Sequence, residues 1–329
     1  MKKIIAYSVL VIVLFFIGFF IAKQNANVLQ TVKHTQILLG TVVDIQVRDY
    51  DLRKAENAVA EAFGEINRID DLFSTFNEES PVWKINNSKD SILNINPEVY
   101  DLLILCDSIT KISDGGFDVS LDNLTKCWGF YTDNPHLPEK TSIDWALNIC
   151  GWKNVELLGS NRILKKKNIK FNFGAIAKGY AVDKAIDVLK KYEIREALVN
   201  AGGEINVIGS DWIVGIQHPR NENDMIARIK LENASVATSG DYEQYFEQNG
   251  VRYHHIINPA TGYPSKGLQS VTIINKENKV ADALATAVFV MGKEKGMRLI
   301  EQLSNTEAMI IDSNGKVFYS SGFKKFLIN

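Results

Sequence analysis

Helical and strand periodicity are unevenly divided along this chain, and that division constrains the fold more than any other feature. In the first half, apolar residues from Ala55 to Ile69 recur at helical spacing, and further helices are predicted from Pro97 and from about Ser142 to Cys150. From Val155 onward short alternating segments and turns predominate, with a helix predicted from Ala177 to Lys190. Helices gathered early and strands gathered late predict an α+β fold rather than a regular alternation of strand and helix.

The composition is that of a globular protein, and it argues against nucleic-acid binding. With 329 residues, of which 46% are hydrophobic and 23% charged, the chain is long enough to bury a full core. The formal net charge is -2 and the basic residues are dispersed, so no nucleic-acid partner is expected. The three cysteines are odd in number and lack metal-binding spacing, so neither a zinc site nor a disulfide framework is expected.

An apolar segment at the N-terminus is long enough to enter a membrane. Lys2 and Lys3 precede an uncharged run from Ile4 to Ala22, which as a helix would be roughly 28 Å long. Because no clear cleavage site precedes Lys23, an uncleaved signal anchor is favoured over a cleaved signal peptide. The lysines in front of the run place the N-terminus in the cytoplasm and the rest of the chain outside.

These features divide the chain into three parts. Residues 1–22 are predicted to be a signal anchor or signal peptide, residues 23–35 a polar linker, and residues 36–329 a single folded domain. The predicted location is the cell membrane, with the domain on the extracytoplasmic side.

The segment FNFGAIAKGYAVDK has the pattern of a strand, a glycine turn and a helix. A turn at Gly174 would expose backbone amides at a helix N-terminus, and Lys178 would add a positive charge in the first helical turn. This arrangement suits a phosphate group, although it matches neither the Walker pattern nor the dinucleotide GxGxxG pattern. An ordinary capped helix with a surface lysine explains the segment equally well.

Asp282 and Thr286 stand four residues apart in the helical segment ADALATAVFVMG, so both side chains project from one face. A carboxylate and a hydroxyl placed in this way suit Mg²⁺, which prefers oxygen ligands and often shares its coordination shell with substrate phosphates. The competing interpretation is that Asp282 caps the helix and that Thr286 bonds back to the preceding turn.

Two further segments place polar groups beside glycines or turns. His254 and His255 end a strand-like run, and because adjacent strand residues face opposite ways, at most one is expected to face a site. Gly202 and Gly203 would let a ligand lie against a strand while Glu204 accepts hydrogen bonds, although a β-bulge also explains the glycines.

Taken together and in order, these segments closely resemble the ApbE family of FAD:protein FMN transferases from Leu39 to Gly292. The sequence motifs that carry the resemblance are LGT, FSTF, GGFDVS with WGF, GAIAKGYAVD, LVNAGGEI, GIQHPR, VATSGDYEQYF, HHIINPATGYP and DALATAVFVMG. The resemblance implies a mixed α/β catalytic domain that binds FAD as its substrate and uses Mg²⁺. It also implies transfer of FMN to a Thr or Ser of an acceptor flavin-carrier redox protein, with release of AMP.

The resemblance also implies roles for individual residues. Asp282, Thr286 and a main-chain oxygen near Ala175 would hold Mg²⁺, while Lys178 and the Gly174 turn would steady the diphosphate. His255 would contact the phosphate or the acceptor hydroxyl. The other residues expected to bind FAD are Phe76, Phe117, Asp118, Trp128, Asp183, Gly203 and Glu204.

Some positions depart from the common family pattern. Phe76 stands where a Tyr is frequent, and Asn172 and Asn258 replace frequent aspartates. These departures are expected to affect the affinity for FAD and the binding of the metal. The central set of Asp282, Thr286, Lys178 and His255 is intact. Two alternatives to the transferase are an FAD pyrophosphatase, in which water replaces the acceptor hydroxyl, and a noncatalytic flavin-binding surface protein.

Overall fold

A central antiparallel sheet organises the molecule. The structure, a computed structural model, describes residues 28–166 and 168–328. The sheet has eight strands in the order β1-β2-β6-β7-β10-β13-β14-β15. The strands of the fold are β1 (Gln30–Leu38), β2 (Thr41–Asp49), β3 (Ile92–Asn94), β4 (Val155–Gly159), β5 (Arg162–Lys165), β6 (Glu196–Ala201), β7 (Glu204–Ile208), β8 (Trp212–His218), β9 (Asn221–Leu231), β10 (Ser235–Gly240), β11 (Tyr245–Gln248), β12 (Val251–His254), β13 (Leu268–Asn275), β14 (Glu307–Asp312) and β15 (Val317–Tyr319).

Eight α-helices accompany these strands in the described ranges. They are α1 (Leu52–Phe73), α2 (Pro81–Asn87), α3 (Pro97–Ile112), α4 (Asp122–Trp128), α5 (Lys140–Ile149), α6 (Ala177–Lys191), α7 (Asn278–Met291) and α8 (Lys293–Gln302). Helices α1, α6 and α7 pack side by side on one face of the sheet, over β1–β2, β6–β7 and β10–β13 respectively. The β8–β9 ribbon covers the other face, so the sheet lies between two apolar layers.

The residue pattern of each strand follows from this layering. In β2, Val43, Ile45 and Val47 are fully buried and alternate with less buried residues, because one face of this strand packs on α1. All five residues of β7 are buried, because this central strand is covered on both faces. The α+β prediction is therefore confirmed at the level of a mixed fold with an antiparallel sheet.

The folded region begins earlier than the sequence predicts. The predicted linker, residues 23–35, overlaps strand β1, in which Gln30 pairs with Asp49 of β2. The linker prediction is wrong from residue 30 onward, because the polar side chains of this edge strand face solvent and leave no apolar alternation to detect. The predicted anchor at residues 1–22 lies outside the described residues, and within them no helix is long and apolar enough to span a bilayer.

Helices α6 and α7 meet at their N-terminal turns, and a glycine permits the contact. A Cβ at Gly179 would lie 2.6 Å from the carbonyl oxygen of Asn278 and 2.8 Å from the Cβ of Asp282. Both distances are shorter than real Cβ contacts, and one neighbour is backbone that cannot rotate away. The close approach of the two helices therefore requires glycine at position 179.

We expect Gly179→Ala to lower the free energy of unfolding by about 2 kcal/mol, because the added methyl group forces α6 and α7 apart. Thermal unfolding followed by circular dichroism measures the change. Gly64→Ala is the matched control, since Gly64 also lies within a helix but has open space around its Cβ position. The control should be as stable as the parent or more stable by up to about 1 kcal/mol. Equal stability of the two variants would contradict the packing argument.

Candidate functional site

The N-terminal turns of α6 and α7 cap each other through carboxylates. Oδ2 of Asp282 in α7 accepts the Gly179 amide of α6 at 3.0 Å. In return, Asp183 in α6 accepts the amides of Asn278 and Lys279 at 2.8 and 3.0 Å. Both helix N-termini, with their positive macrodipole ends, thus converge on one region of the molecule.

The turn that leads into α6 is shaped by Asn172. Its side-chain Oδ1 accepts the amide of Gly174 at 2.8 Å, which fixes the exposed glycine turn in front of the helix. Because the Gly179 amide donates to Asp282, the carbonyl oxygen of Ala175 does not serve as its helical acceptor. The turn thereby offers a main-chain oxygen close to a buried carboxylate.

Lys178 and Glu204 form a partly buried ion pair beside this turn, in which only the glutamate is fully buried. Nζ of Lys178 lies 2.6 Å from Oε1 of Glu204, whose residue is 2% exposed and whose Oε2 has no hydrogen-bond partner. Burial acts to lower the pKa of Lys178, but the charges of Glu204, Asp282 and Glu243 outweigh it and raise that pKa, so the lysine stays protonated. Burial raises the pKa of Glu204, against the opposing charge of Lys178.

Asp282 is the most perturbed carboxyl group of the cluster. Burial, followed by the negative charge of Glu204, raises the pKa of Asp282 to about 8. One turn further along α7, Thr286 Oγ1 lies 3.2 Å from Ser239 Oγ of β10. A divalent cation would relieve the repulsion between the carboxylates, so Asp282, Thr286 and the Ala175 carbonyl fit a hard metal ion chemically. Within the described residues, no group of three or more His, Cys, Asp or Glu is placed to hold a metal by itself.

The two histidines at the end of β12 have different environments, as the strand geometry predicts. His254 is buried, and its Nε2 lies 2.8 Å from the Ser265 carbonyl, which explains it as part of the fold. His255 is partly exposed, and its Nδ1 lies 3.3 Å from the carbonyl oxygen of Gln244. A carbonyl only accepts, so Nδ1 carries the proton and Nε2 keeps a lone pair. Burial lowers the pKa of His255 to about 4, so the ring is neutral at physiological pH.

Glu243 belongs to the same cluster, although the sequence analysis did not single it out. The residue is solvent-exposed, but desolvation of its carboxyl group by its neighbours raises its pKa to about 7, opposed by Lys178 and reinforced by Glu204. The residue next to it, Gln244, supplies the carbonyl that orients His255. The motif VATSGDYEQYF contains Glu243 but did not indicate its role, because that role depends on neighbours that are distant along the chain.

Four residues predicted to bind FAD have clear structural roles within the fold. Both oxygens of Asp183 are used within the fold, since Oδ1 also accepts from Asn206 at 2.8 Å. Trp128 is fully buried and donates its ring N–H to the Gly262 carbonyl at 2.9 Å. Phe117 is buried, and Asp118 accepts the Trp152 amide at 2.8 Å. Their roles toward FAD remain predictions.

The remaining predicted residues surround the cluster. Gly203 lies in the turn between β6 and β7 with a φ of 106° and with open space at its Cβ position, as close approach by a ligand requires. Phe76 is 69% exposed, and its ring centroid lies 6.3 Å from that of Tyr131. Tyr131, which the sequence did not single out, therefore stands beside a predicted FAD-binding residue.

We expect Asp183→Ala to lower the free energy of unfolding by about 2 kcal/mol, because three hydrogen bonds are lost and the start of α7 is left uncapped. Chemical denaturation measures the loss. Asp187→Ala, an exposed position one turn further along α6, serves as control and should change stability by less than about 0.5 kcal/mol. If Asp183→Ala were as stable as the parent protein, the structural role would be contradicted and ligand binding would be the main role of this carboxylate.

Comparisons with known proteins show which family this chain resembles. The ApbE family model matches residues 39–310. The FAD:protein FMN transferase of Treponema pallidum is 30% identical over 313 residues, which cover 87% of this chain and 86% of that protein. The FAD:protein FMN transferase of Vibrio cholerae is 30% identical over 304 residues, which cover 88% of this chain and 90% of that protein.

Solved structures agree as well. The crystal structure of the ApbE protein from Thermotoga maritima superposes with a TM-score of 0.85 at 35% identity, covering 91% of this chain and 100% of that chain. The flavin transferase ApbE from Vibrio cholerae superposes with a TM-score of 0.82 at 27% identity, covering 91% of this chain and 100% of that chain. The match of family model, relatives and structures over most of its length means that this chain belongs to the ApbE family.

Proposed function

We propose that this protein is an FAD:protein FMN transferase, which attaches FMN from FAD to a Thr or Ser of an acceptor redox protein and releases AMP. Family membership and relatives that bear this name support the activity. The structural observation that carries the proposal is the partly buried Lys178–Glu204 pair beside Asp282, at the point where two helix N-termini converge. Such a site combines fixed positive charge with exposed backbone at a glycine turn, as binding of a diphosphate requires.

The transfer replaces the phosphoanhydride bond of FAD by a phosphoester bond to the acceptor. The acceptor hydroxyl oxygen forms a bond to the FMN phosphorus, the bond from that phosphorus to the oxygen of AMP breaks, and the hydroxyl proton leaves. Nε2 of neutral His255 is the base available to accept this proton, because Nδ1 is held by the Gln244 carbonyl. Lys178 stays protonated and holds the diphosphate oxygens by charge.

We further propose that Mg²⁺ binds at Asp282, Thr286 and the Ala175 carbonyl. The raised pKa of Asp282, at about 8, and the unpartnered Oε2 of Glu204 support a positive charge beyond that of Lys178. When bound, the ion would neutralise charge on the diphosphate and on the departing AMP. The chain itself supplies the orientation, because Asp282 is fixed on α7 by its hydrogen bond to Gly179.

We expect Asp282→Asn to reduce FMN transfer by at least about 100-fold, because the amide retains the acceptor for Gly179 but loses the negative charge that the cation needs. Intact-mass spectrometry of a flavin-carrier domain, incubated with enzyme, FAD and Mg²⁺, measures the transfer, and released AMP and FMN are followed in parallel. Asp187→Asn on the surface of α6 is the charge-matched control.

Three results would distinguish the activities. A carrier heavier by one FMN, with AMP released and the effect abolished by chelator, supports the proposal. Free FMN with an unmodified carrier would identify an FAD pyrophosphatase, and unchanged FAD would identify a binding protein. Transfer at the parent rate by Asp282→Asn would remove this carboxylate from the metal site.

We also propose that residues 1–22 anchor the domain at the outer side of the cell membrane. The topology of the sheet is compatible with this arrangement. The described chain begins at the end of the sheet where Gln30 pairs with Asp49. Glu204 lies level with Gln36 through the pairings with Val43 and Ala201, about 20 Å further along the strands. The site is therefore well separated from the end of the sheet nearest the proposed anchor.

We expect the full chain to remain in the membrane fraction after an alkaline carbonate wash and to be released only by detergent, because an apolar segment of this length inserts stably. A variant that begins at residue 24 is the control and should be recovered in the soluble fraction. Release of the full chain by carbonate alone, without shortening, would contradict anchoring. A full-length gene product that is soluble and shortened by about 22 residues would identify a cleaved signal peptide instead.

A further inference from the structure

An aromatic residue to which no motif assigns a role lies beside the Gly174 turn of the site. Tyr131 follows α4 after a short turn and is 41% exposed. Its ring meets that of Phe76, which is 69% exposed, at an interplanar angle of 80° and a centroid distance of 6.3 Å. This edge-to-face geometry is favourable, yet each ring keeps much of its surface in contact with water. Two segments distant in the sequence thus bring a pair of exposed rings together.

The hydroxyl of Tyr131 lies near the residue that shapes the glycine turn. Asn172 acts to lower the pKa of Tyr131, although burial outweighs this effect. The amide group of Asn172 donates to Oδ1 of Asp122 at 3.2 Å, and Asp122 is itself buried and paired with Lys126 at 2.7 Å. Asn172 is therefore fixed beside the Tyr131 hydroxyl.

The Tyr131 hydroxyl lies next to the turn that fits a phosphate. A Cβ built at Gly174 would lie 3.5 Å from the Tyr131 hydroxyl oxygen and 3.0 Å from Oδ1 of Asn172. Although the residue is partly exposed, desolvation of its hydroxyl raises the pKa of Tyr131 to about 12, so the hydroxyl keeps its proton at physiological pH. An aromatic face and a hydrogen-bond donor are thus presented side by side at the Gly174 turn.

We propose that Tyr131 is an FAD-binding residue. Its ring and that of Phe76 stand nearly at right angles, and together they form a slot with two walls, against which one flat ring system of the dinucleotide packs. The Tyr131 hydroxyl donates a hydrogen bond to a ribose or phosphate oxygen beside the Gly174 turn. The inference rests on the proposed function, because it requires that FAD occupies this site. It assigns the contact to a residue of the loop after α4 rather than to the family motifs.

The surroundings of the tyrosine are fixed by hydrogen bonds. Asp122, Asn172 and Gly174 form a continuous chain of hydrogen bonds beside it, and the Phe76 ring packs against its ring. The pair then supplies stacking area, which is worth a substantial part of the affinity for a heteroaromatic ring.

Fluorescence titration of FAD, with the full chain in detergent and no acceptor protein present, tests this inference. We expect Tyr131→Ala to weaken FAD binding about tenfold, through loss of both ring and hydroxyl. Tyr131→Phe keeps the ring and should weaken binding about threefold. Tyr50→Ala removes a ring that is 58% exposed next to the other end of β2, and it should leave the affinity unchanged.

Competition with AMP and with FMN then identifies the ring in the slot, because only the product that carries that ring should bind more weakly to Tyr131→Ala. Thermal unfolding of each variant separates lost binding from lost folding. An FAD affinity of Tyr131→Ala within twofold of the parent would overturn the inference while leaving the proposed function intact. Failure of the parent protein itself to bind FAD would overturn both.

Discussion

The reciprocal capping of α6 and α7 is the interaction on which the site depends. Each helix lends a carboxylate, Asp183 or Asp282, to the first turn of the other, and Gly179 has no side chain to keep the helices apart. An aspartate that caps a helix on the surface is worth about 1 kcal/mol and is replaceable. Here the same hydrogen bond also fixes Asp282 beside Lys178 and Glu204. One interaction therefore both stabilises the fold and sets the geometry of the site.

The charges collected in this way are not balanced by the chain alone. Asp282, Glu204 and Glu243 bring three carboxyl groups near one lysine, and the pKa of each carboxyl group is raised. An incoming diphosphate would add further negative charge to the same region. Either the carboxyl groups take up protons or a cation enters with the substrate, and an oxygen-lined position beside a diphosphate is the setting in which Mg²⁺ is commonly bound. The charge balance and the family resemblance thus both point to a cation at this position.

Local patterns predicted the parts of this structure that local sequence determines. The glycine turn before α6, the shared face of Asp282 and Thr286 and the opposed environments of His254 and His255 all follow from spacing and periodicity. The partner of a side chain does not follow from spacing. Asp183 has the position expected of a ligand-binding group, but both of its oxygens bond to residues 23 or more positions away in the sequence.

The same limit explains the residues that were missed. Tyr131 and Glu243 lie in loops without periodicity, and only the tertiary fold brings them to Gly174 and to Lys178. The linker prediction took in residues 30–35 of strand β1, because an edge strand with polar side chains has no apolar alternation. In each case the missing information is a long-range contact. The family motifs identified the residues around Lys178 and Asp282, but they did not indicate a role for Tyr131 or Glu243.

The low basicity of His255 indicates how such a site would accelerate transfer. An imidazole whose pKa is about 4 removes a proton from a hydroxyl group poorly, so strong deprotonation of the acceptor before attack is not available here. Phosphoryl transfer does not need it, because its transition state is loose and bond breaking to the leaving group is well advanced. Most of the charged groups of the site lie around Lys178, Asp282 and Glu204, where the proposed mechanism places the diphosphate. In that mechanism His255 would receive the proton late in the reaction, and neutralisation of charge on the leaving AMP would contribute more than deprotonation of the acceptor.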